Sequence, residues 1–111
     1  MKPKTEKLIL SLGIMPNLRG FRYLGSAIEI YAGHKGQISI TKELYPAVAE
    51  LHNTTGIRVE RAIRNAISKL GDNVPMHEVV DILGTPPSAL SGTYKNSEFI
   101  ALCALRIGGT K

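Results

Sequence analysis

Between Ile57 and Leu70 the apolar residues Val59, Ala62, Ile63, Ala66, Ile67 and Leu70 recur at helical spacing, the strictest pattern in the chain. At about 100° per residue they gather on one side of a rod, so this stretch must press one face onto a core and leave the other in water. The outer face is polar. Arg61 points almost directly away from the core, with Arg58 and Asn65 on one flank and Glu60 and Arg64 on the other. A fold is required that anchors a helix running from about Thr55 to Leu70 and keeps its charged side open.

Shorter helices supply the anchor. The first is expected over Thr5–Leu12, with Leu8, Ile9 and Leu12 inward and Gly13 as its stop. A second follows Pro16, carrying Leu18, Phe21, Leu24, Ile28 and Tyr31 until Gly33 and Gly36 end it. Gln37–Ile40 alternates briefly but has no partner strand of comparable quality, which makes it an extended linker. Thr41 is the expected N-cap of a helix through Glu50, with Pro46 tolerated near its first turn. Beyond the loop Gly71–Pro75, Met76, Val79, Val80 and Leu83 predict a helix over Met76–Leu83 closed by Gly84. A Pro-, Ser- and Gly-rich loop, Thr85–Lys95, leads to a last helix capped by Asn96, with Glu98 in its first turn, and the tail from Gly108 should fray. The expected class is all-α: one compact domain of five or six helices, spanning 1–111, that contains a helix-turn-helix.

Composition supports this reading and removes others. Aromatic residues are 5% of the 111 and Trp is absent, so the core must come from Leu, Ile, Val and Ala, which suits packed helices. The single cysteine, Cys103, cannot form an internal disulfide; set among Phe99, Ile100, Leu102 and Leu105, it reads as a small buried hydrophobe. His34, His52 and His77 stand too far apart for a zinc site, and no metal or cofactor is expected. The basic start Lys2–Lys7 followed by Leu8–Met15 imitates a secretory leader, but Glu6 breaks the charge and Ser11 and Gly13 dilute the apolar run. No segment reaches membrane-spanning length, and a soluble, cytoplasmic protein is expected. Phosphate-cradling loops, nucleophile elbows and paired carboxylates are all missing from the sequence, so no catalytic residues are assigned.

A formal charge of +5 favours a polyanionic partner, and position makes that partner specific. Leu44–Leu70 reads as two helices joined by a tight polar turn, the helix-turn-helix arrangement. Ala49 is small enough for close approach, Asn53 accepts the left-handed conformation a sharp turn needs, and Val59 and Ala62 close the joint. Arginine offers two parallel hydrogen bonds to guanine, asparagine pairs with adenine, and glutamate accepts from cytosine. Glu60, Arg61, Arg64 and Asn65 are therefore the expected base contacts. Thr54, Thr55 and Arg58 at the helix start, with Lys69 and Lys95, are the expected phosphate contacts. The plainer alternative makes Glu60 and Arg64 a surface ion pair and the arginines mere solvation, in a helical module that binds protein through Met76–Leu83 and Asn96–Leu105. RNA is disfavoured by the shortage of stacking aromatics on the basic face.

At these residues the chain resembles the C-terminal DNA-binding effector domain of the sporulation-initiation response regulators, the stage zero sporulation protein A family of endospore-forming bacteria. The resemblance covers roughly Leu12–Leu105. It is strongest in Leu44-Tyr45-Pro46, Asn53-Thr54-Thr55, Arg58-Val59-Glu60-Arg61-Ala62-Ile63-Arg64 and Asn96-Ser97-Glu98-Phe99-Ile100-Ala101. It implies a six-helix domain that binds a short box in double-stranded DNA, often as tandem copies, to activate or repress transcription in the bacterial cytoplasm. Carried across, Glu60, Arg61 and Arg64 would face bases, and Arg58 with the Thr54–Thr55 turn would hold phosphates. The helix from Asn96 would contact a neighbouring copy, and RNA polymerase is a further expected partner. Three departures stand out. Nothing in the chain can serve as the receiver domain that normally precedes this one, leaving an excised fragment or a stand-alone relative; Asn65 replaces a histidine; and Thr93-Tyr94-Lys95 lacks the family's proline.

Overall fold

The computed structural model describes residues 1–88 and 92–108. Six α-helices make up its framework: α1 (Pro3–Ser11), α2 (Arg19–Gly33), α3 (Tyr45–Leu51), α4 (Gly56–Ser68), α5 (Met76–Leu83) and α6 (Asn96–Gly108). A π-helical turn, Ile40–Leu44, leads directly into α3. No strand occurs among the described residues, and the all-α expectation holds.

Helix boundaries follow local chemistry, with three corrections. α1 starts at Pro3 rather than Thr5, because proline at the first position gives up an N–H that the helix would leave unpaired anyway. Thr41 is not the cap of the third helical segment. Ser39 is: its Oγ accepts the Lys42 N–H at 3.2 Å, while Glu43 Oε1 accepts the Ser39 N–H at 2.8 Å. Pro46 accounts for the wide turn that follows. Its ring would strike the carbonyl four residues back in a regular α-helix; instead the Leu44 N–H reaches Ser39 O (2.9 Å), one residue further than an α-helix allows. Asn96 also differs from expectation, since it is the first residue of α6 and not its cap. Glu98 does the capping, accepting the Lys95 N–H at 3.1 Å and the Ser88 N–H at 3.2 Å. Residues 109–111 of the tail expected to fray, and 89–91 of the Thr85–Lys95 loop, lie outside the described residues.

α5 matches its expected span, and Gly84 closes it in the left-handed conformation (φ 87°) that a helix end of this kind requires. Buried side chains from every helix form one cluster, with Ile9, Ile28, Val48, Ile63, Leu83 and Phe99 all at 0% exposure. α2 runs through the middle, packed chiefly on α4 and α6. Gly20 sets the α2–α4 spacing: a Cβ there would be driven into the Ala62 carbonyl and would lie 2.8 Å from the Ala66 methyl. Cys103 is wholly buried, and that desolvation raises its thiol pKa far above the ordinary range, leaving a packing residue and no nucleophile. No helix among the described residues is long and apolar enough to cross a membrane.

Candidate nucleic-acid interface

The turn between α3 and α4 is held by the backbone. Asn53 adopts φ 53°, and the Thr54 N–H then returns to Ala49 O at 2.9 Å while the Asn53 N–H reaches Glu50 O at 3.4 Å. This is a Schellman ending, in which asparagine supplies the left-handed residue otherwise given by glycine. Thr55 immediately caps α4, its Oγ1 accepting the Arg58 N–H at 3.2 Å. One helix therefore stops and the next begins within His52–Thr55, with no slack in the joint. Ala49 and Val59 are buried at the joint, as the pattern predicted.

α4 is seated by Val59, Ile63, Ala66 and Ile67, all buried, with Ala62 and Leu70 half-buried beside them. Its far side is open to water. Arg58, Arg61, Asn65 and Lys69 are exposed on one flank, and among the described residues neither Arg58, Arg61 nor Lys69 enters an ion pair. On the other flank Arg64 Nη2 pairs with Glu60 Oε2, as residues four apart on a helix commonly do; the Arg64 side chain is still 71% exposed, that of Glu60 25%. The plainer reading of these two residues thus describes their geometry in the isolated chain. At such exposure the pair is worth well under about 1 kcal/mol, little enough for a competing anion or base to open it.

Thr54 is half-buried with its amide committed to Ala49, so at this position only the hydroxyl can face a ligand. Thr55 keeps its own O–H to donate while its oxygen caps the helix. Lys95, 31 positions beyond Arg64 in sequence, comes to the same side of the molecule. Together with Ile40, Thr41, Glu60, Arg64 and Thr93 it lines an open groove of about 540 Å³ along α4.

A polar cluster that the sequence did not announce fixes that groove. Asn96 Nδ2 donates to Tyr45 Oη at 3.1 Å and lies 3.2 Å from Glu60 O, tying the starts of α3 and α6 to the middle of α4. These three residues are separated by up to 51 positions, and nothing in their spacing marks them as neighbours. Asparagine before an apolar run is a common helix cap, but the Asn96 amide serves tertiary contacts instead. His52, at the end of α3, is likewise engaged, 2.8 Å from Ser26 Oγ and edge-on to the Tyr23 ring. Among the described residues no group of His, Cys, Asp and Glu is arranged to hold a metal.

A family model described as sporulation initiation factor Spo0A C terminal matches residues 5–107 of the chain.

Proposed function

Because the chain belongs to the family of the Spo0A C-terminal domain, a regulatory DNA-binding domain and not an enzyme, we propose that it is a sequence-specific transcriptional regulator whose α4 enters the major groove of duplex DNA. The observation that carries this reading is the two-sided character of α4. A helix rigidly seated through Val59, Ile63 and Ile67 presents Arg61 and Arg64 outward, with Asn65 beside them. Such a rod fits a groove about 12 Å wide, and guanidinium groups suit guanine edges there. Glu60, once released from Arg64, has the acceptor that the cytosine amino group needs. Arg58, Lys69, Lys95 and the Thr54–Thr55 hydroxyls border the same surface, where phosphates would run. The residues 1–111 act on this proposal as a single helix-turn-helix domain, pairing with a second copy on tandem boxes and passing the signal to RNA polymerase.

Selection of bound duplexes from a random pool at moderate salt, with wild type, Arg61→Ala and Arg58→Ala side by side, tests it. Arg61→Ala should cost about 1–3 kcal/mol on the preferred box and relax the base choice at one position. Arg58→Ala should weaken all duplexes alike and lower the salt slope by about one unit. Equal losses on preferred and random duplexes for both variants would remove the division between base-reading and phosphate-holding residues. Absence of any selected sequence would remove the reading altogether.

A further inference from the structure

Ile57 has no role in seating α4. It stands at the second position of the helix with 67% of its surface exposed, although a β-branched aliphatic group gains nothing from water and slightly weakens a helix. Single exposed aliphatic residues are common on protein surfaces, and exposure alone means little. Direction is what sets this one apart. Ile57, Arg61 and Arg64 stand at i, i+4 and i+7, within about 60° of one another around the axis, turned away from the buried Val59 and Ala66. The ridge that faces outward therefore begins with a hydrocarbon and continues with two guanidinium groups.

We propose that Ile57 is a specificity-determining residue that packs on the C5-methyl group of a thymine in the duplex bound by α4. The inference rests on the reading of α4 as the groove-entering helix. Among the four bases only thymine presents a methyl group in the major groove, and an isoleucine, lacking donors and acceptors, can read nothing else there. Four residues along a helix span about 6 Å, which is close to two base-pair steps of about 3.4 Å. The thymine should thus lie about two base pairs from the base chosen by Arg61.

The full chain is used, first to obtain the preferred box from the random pool, then on boxes in which each thymine in turn is replaced by deoxyuridine. That replacement deletes the methyl group and leaves the hydrogen-bonding pattern intact. At one position wild type should bind roughly fourfold more weakly to the deoxyuridine box, the effect of one methyl group removed from water. Ile57→Ser should bind both boxes equally, and Ile57→Val should keep most of the difference. Both variants alter an exposed side chain outside the core, and circular dichroism should show them folded like wild type. If no deoxyuridine substitution separates wild type from Ile57→Ser, or if the box has no thymine within about three base pairs of the Arg61-dependent position, the inference falls. Loss of the methyl effect with Arg61-dependent preference retained overturns the role of Ile57 alone; loss of all Arg61-dependent preference overturns the reading of α4 as well.

Discussion

Gly20 faces the backbone of α4 so closely that its missing side chain is part of how that helix is held. Alanine would improve the intrinsic helix propensity of α2 by at most about 1 kcal/mol, and by less at this position in the first turn. Against that gain, the new methyl group meets a carbonyl oxygen and an alanine Cβ, neither of which can swing aside as a long side chain would. Overpacking of this kind costs about 1–3 kcal/mol, and the clash should win. Thermal unfolding of Gly20→Ala followed by circular dichroism should show Tm lowered by several degrees. An unchanged or higher Tm would mean that α2 and α4 can part without loss. Asn53 presents the related case of backbone geometry: a β-branched residue there would strain the left-handed turn that orients α4.

At the level of elements, α6 owes its start to one carboxylate. Partial desolvation pushes the Glu98 carboxyl upward, but the hydrogen bonds from Ser88 and Lys95 and the charge of Lys95 outweigh it, holding its pKa below the ordinary carboxyl range. A group depressed in the folded state stabilises that state above its unfolded pKa, and the contribution is lost as pH falls through the lower, folded value. Glu98→Gln should therefore be less stable than wild type by about 0.3–1 kcal/mol near neutral pH, and the two should converge as the solution is acidified below the ordinary carboxyl range. Urea unfolding of both proteins across the acidic range measures this. A constant difference at all pH values would assign the effect to shape and not to charge. The same helix start carries Asn96, so fraying there would also release Tyr45 and the Glu60 carbonyl.

Charge acts at the scale of the whole molecule. A formal net charge of +5 spread over a small helical body would by itself give weak, sequence-independent attraction to any polyanion. The proposed phosphate contacts of Arg58, Lys69 and Lys95 concentrate part of it beside α4. If these three neutralise phosphates, log K should fall with log salt at a slope of about −3, steeper where Arg61 and Arg64 also approach the backbone. Fluorescence anisotropy on a random duplex from low to moderate salt gives that slope. Binding that hardly responds to salt would contradict an electrostatic interface and favour an apolar one. The Rg of 12.7 Å is what a compact body of this length should have, so the charges are held on one compact body.

The amphipathic pattern of α4 was legible residue by residue, as were the span of α5, the glycine that closes it and the asparagine at the α3–α4 turn. Each depends on neighbours within one or two turns of the chain, where periodicity and backbone preference act. Family membership, too, could be read from short runs of consecutive residues. What escaped one-dimensional reading was set by distance or by competition. Pro46 forced a π turn because two local rules, helix continuation and proline sterics, met at one place and only the packed backbone could reconcile them. Asn96 looked like a cap until Tyr45 and Glu60, remote in sequence, supplied its partners. Lys95 reached the groove beside Arg64 because the chain, after α5, returns to start α6 there. Local sequence thus determined the helices and the outward faces they could carry, whereas contacts between segments far apart in the chain, which no periodicity encodes, decided how those faces were brought together.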